Sequence, residues 1–182
     1  MSYIGRFLFW IIGWKFEGKV PSNDLSYVMI VAPHTSNWDV PLGLFFKYWK
    51  KMDVKFYVKK ELFFPPLSWL LRSLGALPIT RSRSTNFVSQ VTEDFKTRKS
   101  HRILLTPEGT RKKVEKFKSG FYHIANNAQV PIVPVAFDFP KKTILIFDLV
   151  YPTGDAEKEI RLIEDQYVGI IGYDPEKSFS RS

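Results

Sequence analysis

Two short apolar runs constrain this chain more than anything else in it. Residues 27–32 read Tyr-Val-Met-Ile-Val-Ala and residues 102–106 read Arg-Ile-Leu-Leu-Thr. Each run stops at a proline, Pro33 and Pro107. Apolar residues that run on without alternating mark strands buried on both faces, as in a parallel sheet covered by helices. Strand-like runs at 54–58, 77–80 and 132–137 repeat the theme. Between them lie segments of helical period. Residues 38–50 carry Leu42, Leu44, Phe45, Phe46 and Trp49, and residues 84–99 follow a capping Ser84 or Thr85. Helices are also predicted over 119–128 and over 155–170, the latter with acids in its first turn, which suits the macrodipole. Residues 61–74 read as a helix broken at Pro65-Pro66. Residues 143–147 and 149–151 read as a hairpin or an edge pair. Strands alternating with helices predict an α/β fold, a mostly parallel sheet flanked by helices in a single domain over 20–182. A short N-terminal amphipathic helix within 1–19 is expected to precede it.

The 182 residues include no cysteine, which excludes a disulfide framework, a thiolate zinc site and a Cys nucleophile. Charge is uneven. Residues 1–120 hold 21 Lys and Arg against 9 Asp and Glu, whereas the remainder holds 6 against 9. A basic face over the first two thirds suits a polyanion: nucleic acid, an anionic bilayer surface or a phosphorylated substrate. The most apolar stretch, residues 7–14 between Arg6 and Lys15, falls short of the roughly 20 residues needed to span a bilayer. No small-residue cleavage site follows it. A helix carrying Tyr3, Ile4, Phe7, Leu8, Trp10, Ile11 and Trp14 can lie flat in a headgroup layer or pack on the domain's own core.

Three histidines are available for chemistry. His101 sits at a strand entry and reads as a surface or strand-entry residue. His123 lies within a helix, where packing or a hydrogen bond is the default. His34 differs, because it follows a buried strand at its carboxyl end, where open α/β sheets bind ligands. Asp39 comes five residues later, in the first turn of the next helix, within reach of the ring. A carboxylate on one ring nitrogen fixes the tautomer and stabilises the imidazolium, leaving the other nitrogen as a general base. No Gly-x-Ser-x-Gly elbow, P-loop or dinucleotide fingerprint accompanies it, and the histidines show no zinc-ligand spacing. A base without a protein nucleophile suggests direct activation of a substrate hydroxyl or of water.

A second feature, Thr106-Pro107-Glu108-Gly109-Thr110-Arg111, ends another buried strand. Gly109 permits a left-handed turn, and backbone amides with Thr110 and Arg111 suit an anion. Lys112, Lys113, Lys116 and Lys118 extend the positive field. Residues 75–81 form a third piece, a turn into a strand that delivers Arg81.

In this order along the chain, the pieces resemble the glycerolipid acyltransferase family that includes 1-acylglycerol-3-phosphate acyltransferase. His34-x4-Asp39 is similar to its catalytic block, Gly75 through Ile79 to Arg81 to its second, Pro107-Glu108-Gly109-Thr110-Arg111 to its third and Val130-Pro131-Ile132-Val133-Pro134-Val135 to its fourth. Thr106 stands where that family usually has Phe. The resemblance implies transfer of a fatty acyl group from acyl-CoA or acyl carrier protein to the free hydroxyl of a lyso-lipid, with phosphatidic acid as product when the acceptor is 1-acylglycerol-3-phosphate. It implies His34 as general base and Asp39 as its orienting carboxylate. It implies Arg81, Glu108, Gly109, Thr110 and Arg111 as the acceptor-binding set. No cofactor or metal is implied. The implied partners are the lyso-lipid, the donor thioester and an anionic membrane surface, not nucleic acid. The implied location is peripheral, on the cytoplasmic face of the membrane. The apolar stretch 62–71 then lines an acyl groove, touches the bilayer or is plain core. Other readings are acylation of another lyso-lipid such as an aminolipid, hydrolysis with water in place of the acceptor, and a nucleic-acid-binding module. The last would leave His34 and Asp39 without a task.

Overall fold

Residues 27–32 form a strand whose side chains divide between two cores. Val28, Ile30 and Ala32 enter one and Tyr27, Met29 and Val31 the other, so every position is buried. The computed structural model describes residues 7, 9–80 and 84–181, the side chains of 84–86 excepted. Strands β1 (Lys15–Glu17), β2 (Tyr27–Ala32), β3 (Lys55–Lys59), β4 (Ala76–Ile79), β5 (Arg102–Leu105), β6 (Ile132–Asp138) and β7 (Thr143–Ile146) join one sheet in the order β1-β7-β6-β2-β5-β3-β4. All neighbours are parallel except β6 and β7. The expected α/β class, with a mostly parallel sheet between helices, is therefore what the chain adopts.

Helix α1 (Asp39–Trp49) buries Leu42 and Phe46, four residues apart, against Met29 and Val31. Helix α2 (Leu67–Leu74) joins it through Lys47 Nζ, which donates to Leu74 O at 2.6 Å. The opposite face is covered by α3 (Ser84–Thr97), α4 (Gly120–Ala128) and α5 (Ala156–Asp165), which contribute Val91, Phe121, Ile124 and Ile163. Asp155 caps α5, its carboxylate accepting from Lys158 N at 3.2 Å. No helix among the described residues is long and apolar enough to cross a membrane.

Several expectations are corrected. β7 pairs antiparallel with β6 and parallel with β1, so it makes no hairpin with 149–151; Val150 contributes one bridge, to Ile132. β1 was not foreseen, because three residues reading Lys-Phe-Glu carry no strand pattern. It draws residues 15–17 into the sheet of the α/β domain. Of the expected N-terminal helix, residues 9–11 are helical, while Tyr3, Ile4 and Leu8 lie outside the described residues. Phe9 is buried against Phe46 and Trp49, whereas Phe7, Trp10 and Ile11 face outward. Helix α5 ends five residues early. Its apolar pattern continues through Tyr167 and Ile170, but Gly169 turns the chain at φ +81° and Tyr167 reaches across to Val135 O.

Candidate active site

Because β2 and β5 are adjacent and parallel, with Ile30 opposite Leu105, the loops after them leave the same sheet edge side by side. That edge is the carboxyl end, where a ligand is expected. The first loop holds His34, whose Nδ1 lies 2.9 Å from Asp39 Oδ2. The same oxygen accepts from Ser36 N at 3.0 Å, and Asp39 sits in the first turn of α1, where helix polarity favours negative charge. A carboxylate can only accept, so the proton of this contact belongs on Nδ1 and Nε2 is left with a lone pair. The His34 side chain is 17% exposed and that of Asp39 4%. The ring is thus held from behind and open in front.

The opening is a cavity of about 1470 Å³. His34, Gly109, Thr110, Arg111 and Lys118 border it, and its walls continue beneath α1 along Met29, Val31, Phe46, Met52, Val54 and Leu104. This gives one polar end and one apolar trench. Residues 62–71 take no part in the lining; Leu62, Phe64, Trp69 and Leu70 lie exposed on the surface, with Trp69 at 71%.

The second loop turns at Gly109, where φ is +61° and a Cβ would stand 2.8 Å from Lys118 Nζ. The backbone conformation favours glycine, whereas the lysine end could swing aside. Lys118 N donates to Pro107 O at 2.9 Å, which closes the loop. The side chains of Arg111 and Lys118 make no ion pair among the described residues, so two cations border the cavity without carboxylate partners. Thr110 is half-buried beside them, its Oγ1 accepting from Lys112 N. Two amides of these loops are already committed, Ser36 N to Asp39 and Gly109 N to Thr106 O.

Glu108 has a different place from the one expected. It is 1% exposed and accepts from His34 N at 2.6 Å through Oε2. Burial pushes its carboxyl up to about 7, against the backbone hydrogen bond and charge of His34, which lower it; Asp39 adds a small upward push. Its carboxyl does not line the cavity that His34 faces. Glu108 instead ties the two loops together, 74 residues apart in sequence. Arg81 lies outside the described residues. Of the two roles expected for His101, strand entry rather than surface is what is found: it directly precedes β5, is 4% exposed between Tyr57 Oη at 3.2 Å and the Phe95 ring, and burial lowers its pKa to about 4. His123 is exposed on α4 and borders the same cavity as His34.

The site thus combines a carboxylate-held histidine, backed by a buried carboxyl, with two cations at the mouth of an apolar trench. The model of the acyltransferase family matches residues 14–138, and the chain belongs to that family. It is 31% identical over 134 residues to the 1-acyl-sn-glycerol-3-phosphate acyltransferase of Escherichia coli K12, covering 69% of this chain and 53% of that protein. It is 29% identical over 147 residues to the human 1-acyl-sn-glycerol-3-phosphate acyltransferase beta, covering 75% and 52%. The chain thus spans about half the length of these curated relatives. Its fold is also that of the crystal structure of the 1-acyl-sn-glycerophosphate (LPA) acyltransferase PlsC from Thermotoga maritima, with a TM-score of 0.63 at 24% identity over 91% of this chain and 74% of that one.

Proposed function

We propose that this chain moves a fatty acyl group from an acyl-CoA or acyl carrier protein thioester to the free hydroxyl of 1-acylglycerol-3-phosphate, giving phosphatidic acid. The observation that carries the reading is the His34–Asp39 contact at the mouth of an apolar cavity. His34 Nε2 removes the hydroxyl proton as the oxygen attacks the thioester carbonyl. Asp39 stabilises the imidazolium so formed. The C–S bond then breaks, and the imidazolium returns its proton to the departing thiolate. Arg111 and Lys118 draw the acceptor's phosphate to the polar end, with Arg81 and the Gly109–Thr110 turn assigned to the same task by family likeness. The trench beneath α1 takes an acyl chain, being lined by Met29, Val31 and Met52.

Purified protein given labelled oleoyl-CoA and 1-oleoylglycerol-3-phosphate is expected to yield labelled phosphatidic acid. Free fatty acid alone would mean hydrolysis instead, and transfer only to an aminolipid acceptor would exclude the phosphate assignment.

The same reading has the protein working at an anionic membrane surface, peripherally and on its cytoplasmic face. Phe7, Trp10 and Ile11 beside α1, and Trp69 and Leu70 on α2, are exposed. Lys59, Lys60 and Arg72 are exposed near the second group. Trp14 is less suited, since its ring packs edge-on against Phe139 at 5.0 Å. Trp10→Ala combined with Trp69→Ala is expected to reduce sedimentation with phosphatidylserine-containing vesicles at least severalfold, because burying a large apolar side chain is worth about 1.5–3 kcal/mol. Equal sedimentation of variant and wild type would remove the membrane contact from the proposal.

A further inference from the structure

We infer that the C-terminal segment 171–179, which lies beyond the family-matched residues 14–138, is a positioning clasp for the loop that carries His34. Gly172 lies so close to this loop that a Cβ there would stand 2.7 Å from Thr35 Oγ1, 2.8 Å from Thr35 Cγ2 and 3.3 Å from Pro33 Cβ. Pro33 and Thr35 are the two neighbours of His34. Thr35 is 4% exposed, and its hydroxyl accepts from Asp174 N at 3.1 Å. The segment is braced internally. Gly172 N donates to Ser178 Oγ at 2.9 Å, and that hydroxyl donates to Asp174 O at 3.1 Å. Phe139 N donates to Ile171 O, anchoring the segment just past the end of β6. Tyr173 stands edge-on to Phe139 at 5.5 Å and lies 6.5 Å from the Trp38 ring, beside Asp39. Both ends of the His34–Asp39 stretch therefore rest on the same segment. Farther along, the Phe179 ring packs on Phe117 at 4.6 Å, so the second site loop is held as well.

These contacts are packing and hydrogen bonds to buried groups, so the loop has little room to give. Thr35 is β-branched and confined, and a methyl at residue 172 would meet its short side chain and the Pro33 ring rather than the free end of a long side chain. A base that must meet a hydroxyl at hydrogen-bond distance is sensitive to shifts of that kind: about 1 Å of misplacement can cost about a hundredfold in rate. Thr35 and Gly172 act through His34 and are positioning residues.

The test uses the full chain. Gly172→Ala is expected to lower kcat about 10-fold to 100-fold with KM for 1-oleoylglycerol-3-phosphate essentially unchanged. Adding Thr35→Ala removes the two nearest atoms that the new methyl would strike, so the double variant should turn over faster than Gly172→Ala alone. A merely additive or deeper loss would overturn the clasp. Thr35→Val, which deletes the acceptor of Asp174 N, should also lower kcat, and Thr35→Ser should restore it. A second readout needs no turnover: the downfield proton resonance of His34 Nδ1, shared with Asp39, should broaden in Gly172→Ala and sharpen again in the double variant. The turnover arm rests on the acyltransferase reading and the resonance arm on geometry alone. A wild type without acyl transfer but with that resonance response retains the clasp and removes the proposed reaction. An unchanged resonance in a folded Gly172→Ala removes the clasp whatever the activity. If Gly172→Ala does not fold, Thr35→Val and Thr35→Ser decide by the same kcat and resonance comparison.

Discussion

Replacing His34 with alanine is expected to lower kcat/KM by about 100-fold to 10,000-fold, the range supplied by a positioned general base. The ring is the basic group held by a carboxylate at the polar end of the cavity, with Nδ1 committed to Asp39 and Nε2 open. The loss should fall on kcat, because the acceptor is held by groups the substitution leaves in place, Arg111 and Lys118 among them. Some stability should go too. Asp39 keeps its bond from Ser36 N but loses the imidazole donor while still buried, and a buried acceptor deprived of a partner costs about 1–3 kcal/mol. For a chain of this size each kcal/mol lowers Tm by about 2–4 °C, so assays at 25 °C beside a melting curve separate lost chemistry from lost fold. Turnover of His34→Ala at the wild-type rate would end the proposed mechanism, since among the described residues no second imidazole at the cavity mouth is oriented by a carboxylate to take the hydroxyl proton.

The pair was legible in the sequence because it is local. A five-residue spacing across a strand end and a helix start is settled by backbone geometry alone, and so were the buried strands, whose unbroken apolar runs need no partner to be recognised. Glu108 was legible as part of a turn but not in its placement. Whether it faces a phosphate or the backbone of His34 depends on β2 lying beside β5, a fact of sheet order that periodicity does not carry. His101 was legible as a strand-entry residue but not in its burial, which comes from Tyr57 on β3 and Phe95 on α3. The segment 171–179 had no period to read. Its bond from Asp174 N to Thr35 spans 139 residues, and no local pattern predicts a contact of that separation. Lys118 stood in the sequence as one of four lysines in a basic run. What sets it apart is the missing side chain of Gly109, across which it lies.

Glu108→Gln is expected to remove a pH dependence of stability that wild type shows between about pH 4.5 and 7. In the native chain, burial raises this carboxyl to about 7 from an ordinary value of 4.5. Below 4.5 both native and unfolded forms hold the proton, and the residue adds nothing to the pH slope. Between 4.5 and 7 the unfolded chain releases its proton while the native chain keeps it, so unfolding becomes progressively easier as pH rises. Above 7 both are ionised and the full penalty is present, about 3 kcal/mol for a shift of this size. Glutamine cannot titrate, and its carbonyl can still accept from His34 N in the place of Oε2. Its amide would occupy the side of Oε1, which has no partner among the described residues, and that changes stability by a fixed amount at every pH. The comparison therefore uses slopes. Urea midpoints converted to free energies should show wild type losing about 3 kcal/mol more than Glu108→Gln between about pH 4.5 and 7.5. Parallel curves would mean that Glu108 is already ionised in the native protein at low pH, with its hydrogen bond from His34 outweighing the cost of burial. The same charge bears on the site. Ionisation strengthens the bond from His34 N, because charge-assisted hydrogen bonds are about twice as strong as neutral ones. Wild type above pH 7 therefore holds the His34 loop more tightly while the fold as a whole is weaker, and the glutamine variant separates those two effects.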